Sequence, residues 1–163
     1  MKKQIRDKIK MIKLLATDVD GTLTDGGMYY TTKGDVMKKF HARDGMGVTL
    51  LRKKGIDTII VTKEKTDIVK HWSKKMKIRE LFDGIKDKEV ILDKVCKKYK
   101  LIPSQVAYIG DDVNDIGLLK KVGFSASPKD GMPMVKKICN YRCQTDGGKG
   151  AFRELAELIL KNR

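Results

Sequence analysis

The stretch Leu14-Leu15-Ala16-Thr17-Asp18-Val19-Asp20-Gly21 decides the fold. The apolar run over residues 11–16 reads as a buried strand, and it delivers two acids at its carboxyl end. On an extended chain the spacing of Asp18 and Asp20 puts both carboxylates on one side. Gly21 then lets the chain turn sharply. Two carboxylates that close repel each other unless a cation lies between them or one is protonated.

Outward from this strand, helix and strand signals alternate. Residues 28–40 carry a β-hairpin signal, Tyr29-Tyr30-Thr31-Thr32 and Val36 around a turn at Gly34. Residues 45–54 predict a helix that stops at Gly55, and 58–61 a β-branched strand. A helix is predicted over 67–76, with Ile68, Val69, Trp72 and Met76 on one face, so Trp72 is expected in the core. Another helix is predicted over 88–99, with a strand over 106–109 and a helix over 114–121. A strand over 123–126, a short helix over 132–137 and a terminal amphipathic helix over 151–160 complete the pattern. The alternation predicts an α/β fold, a Rossmann-like parallel sheet with helices on both faces and a hairpin flap. Polar clusters follow three of the strands: Asp18/Asp20, Thr62 and Asp111/Asp112. In such sheets the ligand site lies at the carboxyl ends of the strands, so these distant segments are expected to converge.

Composition sets the class. The 163 residues suit a single domain over 1–163, with the flap at about 27–40 and a glycine-rich segment and helix at about 146–161. Lys and Arg total 36 against 21 Asp and Glu, a net charge of +15. The lysines are dispersed in pairs such as Lys53-Lys54 and Lys97-Lys98, and aromatic residues are only 6%. That pattern suits solvated helix faces, and nucleic acid is not expected as a partner. No apolar stretch approaches the roughly 18 residues that span a bilayer, so no membrane segment is expected. Cys96, Cys139 and Cys143 are read as reduced thiols. With no leader pattern at the start, a cytoplasmic location is expected.

In a chain this basic, a local knot of acids demands an explanation. Capping of turns would account for one or two of them, but not for Asp18-Val19-Asp20-Gly21-Thr22 and Gly110-Asp111-Asp112-Val113-Asn114-Asp115 together. A hard divalent cation with oxygen ligands, Mg²⁺, is the expected partner. Lys88, on charge alone, has no assigned role.

The stretch from Asp18 to Gly26 resembles motif I of the haloacid-dehalogenase-like phosphatases, and Gly110 to Asp115 resembles their motif IV. Thr62 after a strand fits motif II and Lys88 fits motif III. More closely, the chain resembles the KDO-8-phosphate phosphatase family and its relatives that act on nine-carbon ulosonic acid 9-phosphates. The supporting stretches are Leu23-Thr24-Asp25-Gly26, Phe40-His41-Ala42-Arg43-Asp44-Gly45 and Gly147-Gly148-Lys149-Gly150-Ala151-Phe152-Arg153-Glu154.

The resemblance implies a Mg²⁺-dependent phosphomonoesterase that works through an aspartyl-phosphate on a 2-keto-3-deoxy sugar acid phosphate. Asp18 would be the nucleophile and Asp20 the acid and base. Thr62 and Lys88 would hold phosphoryl oxygens. Asp18, the Asp20 carbonyl and Asp111 would hold the metal, with Asp112, Asn114 and Asp115 behind them. Arg43, Asp44, Glu64 and Lys149 are the expected substrate contacts, Arg43 and Lys149 as partners of the sugar carboxylate. Many relatives carry Gly-Arg after the motif II residue, where this chain has Lys63-Glu64. Glu64 suits sugar hydroxyls and tilts the expected substrate toward a nine-carbon acid, with KDO 8-phosphate as the near alternative. The gaps between motifs leave no room for a cap domain, so the hairpin and a neighbouring subunit of a homotetramer are the expected lids. The competing readings are a phosphatase of another small ester and a non-catalytic oligomerisation domain of the same fold. The intact Asp18/Asp20 pair speaks against the second.

Overall fold

The computed structural model describes residues 3–162. Its central sheet has six strands, all parallel, in the order β5-β4-β1-β6-β7-β8. These are β1 (Leu14–Thr17), β4 (Asp57–Val61), β5 (Glu80–Phe82), β6 (Val106–Ile109), β7 (Phe124–Ser127) and β8 (Tyr141–Arg142). The strand of the opening motif is thus the inner one between β4 and β6. Parallel sheets are covered on both faces, and β1, β6 and β7 are buried at every position.

The two-residue period of the strands divides the core. Leu15, Ile60, Ala107 and Ile109 face one layer, built on α1 (Lys3–Lys10), α2 (Ala42–Lys53), α3 (Asp67–Met76) and α7 (Ala151–Lys161). Leu14, Ala16, Ile59, Val61, Val106 and Tyr108 face the other, built on α4 (Val90–Tyr99), α5 (Ile116–Lys121) and α6 (Pro133–Ile138).

Several boundaries differ from the sequence reading, each for a local reason. β1 starts at Leu14 because the amides of Met11 and Ile12 close the end of α1 on Lys8 and Ile9. α2 starts at Ala42, since the His41 side chain accepts from the Arg43 amide and caps it. Lys88 lies in the turn ahead of α4 instead of opening that helix. A 3₁₀ turn over Val113–Asp115 precedes α5. The edge strands β5 and β8 and the helix α1 are not among the elements that the sequence predicts.

The hairpin is present as β2 (Tyr29–Thr31) and β3 (Gly34–Met37). Its base is tied to the motif loop by an antiparallel bridge between Thr24 and Phe40. The chain between β1 and β4 is used by this hairpin and α2, and no cap domain is present. Trp72 is half-buried and stacks on Phe40 at 4.6 Å. All three cysteines are free thiols. Among the described residues no helix is long and apolar enough to cross a membrane.

Candidate active site

The carboxyl ends of β1, β4 and β6 carry the polar clusters, and the sheet brings them together. The Asp18 amide donates to the Ile109 carbonyl at 3.0 Å, which fixes the end of β1 against β6. The chain then winds around one atom: the Val19 carbonyl accepts from the amides of Thr22, Leu23 and Thr24. Gly21 makes this possible at φ +82°, and a side-chain carbon there would overlap the Asp111 carboxylate. Glycine thus lets the motif loop press against the acid of the neighbouring strand.

Lys88 is the centre of the site. Its side chain is fully buried, and Nζ donates to Asp18 Oδ1 at 2.6 Å and to Asp115 Oδ1 at 2.7 Å. Burial works against the ammonium, but the two carboxylates outweigh it and raise its pKa. Asp115 is saturated: Tyr108 donates its hydroxyl to Oδ1 at 2.5 Å, and the amides of Asp111 and Asp112 donate to Oδ2.

Asp18 and Asp111 fare differently. Burial, then the charge of Asp115, pushes the Asp18 carboxyl well above the usual carboxylate range despite Lys88. Burial, then Asp18 and Asp115, does the same to Asp111. Asp111 Oδ1 is buried without a partner. Oxygens of Asp18, Asp111 and Asp115 all lie within 4.8 Å of one another. With Asp115 already engaged, Asp18 and Asp111 are the acids left to ligate. A divalent cation suits an excess of buried carboxylate over one ammonium, and the donors are all oxygen.

A cavity of about 140 Å³ opens onto these groups, lined by Asp18, Asp20, Thr62, Lys63, Glu64, Asp111, Asp112 and Asn114. Thr62 is buried at the end of β4, held by its amide on the Phe82 carbonyl at 2.9 Å. Asn114 Oδ1 is buried and unpartnered. Asp112 is exposed, and its Oδ1 accepts from the Val113 amide at 2.6 Å, so it caps the 3₁₀ turn and makes no contact with Lys88.

Three expected substrate residues lie elsewhere. Asp44 is fully buried, and its Oδ1 accepts from the Arg153 amide at 2.8 Å; it ties α2 to α7 and cannot reach a ligand. Burial raises its pKa to about 6. Arg43 and Lys149 do meet, but in a separate cavity of about 440 Å³ beside Arg153 and Glu154, and Lys149 is paired with Asp146 at 2.9 Å. The glycine-rich segment also serves the chain itself. A side-chain carbon on Gly147 would overlap the Gly21 carbonyl, and the Gly148 amide donates to the Thr22 carbonyl at 3.0 Å.

Two residues at the site escaped the sequence reading. Tyr108 is one, although a tyrosine in an otherwise apolar buried strand is a visible signal. Lys38 is the other. Its Nζ lies 2.7 Å from Asp20 Oδ1 and 2.9 Å from Asp35 Oδ2, with a side chain only 2% exposed. Among so many lysines nothing in the sequence marks it.

A family model for haloacid dehalogenase-like hydrolases matches residues 51–155. The chain belongs to that family. The 3-deoxy-D-manno-octulosonate 8-phosphate phosphatase of Haemophilus influenzae is 34% identical over 157 residues, covering 96% of this chain and 87% of the relative. Its counterpart in Escherichia coli K12 is also 34% identical, over 94% of this chain and 81% of its own. Among solved structures, the Moraxella catarrhalis 3-deoxy-D-manno-octulosonate 8-phosphate phosphatase, in complex with magnesium, phosphate and KDO, superposes with a TM-score of 0.96 at 36% identity. It covers 100% of this chain and 94% of that one. The cobalt-bound Haemophilus influenzae enzyme gives a TM-score of 0.93 at 35% identity, over 95% and 91%.

Proposed function

We propose that this phosphatase hydrolyses 3-deoxy-D-manno-octulosonate 8-phosphate with Mg²⁺, in the cytoplasm, as a homotetramer. The observation that carries the substrate is the full-length likeness to a relative solved with magnesium, phosphate and KDO. The acidic cavity, lined by an Asp18 that buried Lys88 holds, supports the chemistry.

Asp18, Asp111 and the Asp20 carbonyl would hold Mg²⁺, which when bound offsets the repulsion between an anionic nucleophile and an anionic phosphate. Lys88 keeps the Asp18 carboxylate in one orientation and adds positive charge beneath the phosphoryl group. Asp18 attacks phosphorus in line, and the bond to the sugar oxygen breaks as the aspartyl-phosphate forms. Asp20 protonates the departing oxygen, then takes a proton from the water that attacks the aspartyl-phosphate and frees inorganic phosphate. The Thr62 hydroxyl donates to a phosphoryl oxygen, and Asn114 orients groups at the cavity wall.

Arg43 and Lys149 line another cavity, so an anchor for the sugar carboxylate would come from a second copy of the chain. The exposed apolar side chains of the hairpin, Met28, Tyr29, Tyr30, Val36 and Met37, support such an assembly. The three free thiols suit a reducing compartment.

One observation favours a nine-carbon acid 9-phosphate as a second reading: Glu64 lines the cavity, where it can accept hydrogen bonds from sugar hydroxyls. Phosphate release from both sugars and from a small phosphate ester decides between them. We expect the highest kcat/KM on the eight-carbon substrate. A preference for the nine-carbon sugar would transfer the assignment, and turnover of the small ester alone would end both. Glu64→Ala is expected to alter the ratio between the two sugars more than it alters the small ester.

A further inference from the structure

A buried ion pair joins the hairpin to the motif loop. Lys38 follows β3 directly, and its Nζ is enclosed between Asp20 of the loop and Asp35 of the hairpin. The neighbouring Lys39 pairs with Asp25 at 3.0 Å, and Thr24 bridges Phe40. Three adjacent residues of the hairpin base are therefore fastened to three positions of one loop. Of these fastenings only Lys38 touches a side chain that lines the acidic cavity. It holds one oxygen of Asp20 and leaves Oδ2 without a partner.

A lysine is a flexible point charge, and burying one is costly unless carboxylates compensate. Two do so here. The burial fixes the ammonium, and through it the carboxylate of Asp20, relative to β3. We infer that Lys38 is a positioning residue for Asp20: it sets the orientation from which the acid protonates the leaving oxygen and makes that orientation depend on the seating of the hairpin. The inference rests on the acid role assigned to Asp20 above. It gives the hairpin a part in the chemistry besides covering the site.

Leaving-group dependence separates this from a structural role. An alkyl alkoxide needs a proton as it departs, whereas p-nitrophenolate does not. Full-length wild type and Lys38→Met are compared on KDO 8-phosphate, on simple alkyl phosphates and on p-nitrophenyl phosphate. Lys38→Met is expected to lower kcat/KM on the alkyl esters by about 10- to 100-fold, and on p-nitrophenyl phosphate by less than about threefold. Asp35→Asn retains Lys38 but weakens its hold on the hairpin, so it should show the same selectivity in smaller measure. It also serves as the probe if Lys38→Met does not fold. Equal losses on alkyl and aryl esters, or no loss on either, would overturn the inference. Wild type that cleaves alkyl phosphates but ignores KDO 8-phosphate would sink the substrate reading alone, and the alkyl-to-aryl comparison would still decide the role of Lys38.

Discussion

Lys88 Nζ lies 2.6 Å from Asp18 Oδ1, a contact between residues 70 apart in sequence and shielded from solvent. The same ammonium holds Asp115. Removing it would leave two buried carboxylates without a cation, which typically costs about 3–5 kcal/mol. Lys88→Met should therefore be strongly destabilised in Mg²⁺-free urea titrations. Lys88→Met with Asp115→Asn should recover part of the loss, because an acid leaves along with its partner. Purely additive losses would show that the two residues do not interact.

Asp18→Asn and Asp20→Asn should each lower turnover by on the order of 10³-fold or more. They differ in where the reaction stops. Asp18→Asn removes the nucleophile, so acid-quenched protein should carry no phosphate. Asp20→Asn keeps the nucleophile but loses the base for the second step, so with an activated aryl ester the phosphoenzyme should accumulate. Both variants are expected to remain folded, since Lys88 keeps Asp115 and Lys38 keeps Asp35 as a partner.

Legibility in the sequence followed the strength of local constraint. β1, β4 and β6 are inner strands, and each is a mainly apolar run followed by a polar cluster. β5 and β8 sit at the sheet edges, are three and two residues long, and have too little pattern to see. The acids were legible because their spacing is fixed by extended backbone and a single turn. Lys88 needed the family resemblance, since its burial against Asp18 and Asp115 is set by the meeting of three strand ends. Lys38 is one lysine among many, and its pairing with Asp20 is set by how the hairpin seats on the motif loop. Asp44 was named from the stretch that carries the family resemblance; in the structure it sits in the first turn of α2 and bonds the Arg153 amide of α7, a pairing between residues 109 apart that no local pattern displays.

The hairpin exposes Met28 and Tyr30 at 61% and 62%. Apolar surface of that kind favours burial against another chain. Deleting the hairpin would also remove Lys38, so Met28→Asp with Tyr30→Asp is the cleaner probe. Light scattering should report a smaller species than wild type, with reduced activity. An active monomer would show that assembly does not complete the site.

Asp44 supplies a pH signature outside the acidic cavity. Burial raises its folded pKa from 3.8 to about 6, so the folded state holds its proton more tightly than the unfolded chain does. The penalty for ionising it is absent below pH ~4, grows as pH rises to ~6 and is complete above that, on the order of 2–3 kcal/mol. Asp44→Asn keeps an oxygen to accept the Arg153 amide and has nothing to ionise. Relative to wild type its Tm should rise between pH 4.5 and 7.5. A difference in Tm that is flat across that range would rule out this origin.

The acidic cluster should respond to metal in a pH-dependent way. In metal-free protein, burial and mutual repulsion raise the folded pKa values of Asp18 and Asp111 above the unfolded one. Raised acids hold protons that the unfolded chain has released, so the metal-free fold loses stability as pH climbs from about 4 through those folded values. A bound divalent cation replaces the protons and removes that loss. Ligand binding to the native state also stabilises it by RT ln(1 + [L]/Kd), and Kd falls as the ligating carboxylates ionise. Both effects have the same sign. The gain in Tm on adding Mg²⁺ should be small near pH 5 and larger near pH 8, and EDTA should reverse it. Asp111→Asn has one fewer group to repel or to ligate. It should be more stable than wild type without metal at pH 8 and gain less from Mg²⁺. A Mg²⁺-induced shift equal at pH 5 and pH 8 would mean that the ion binds somewhere other than these carboxylates.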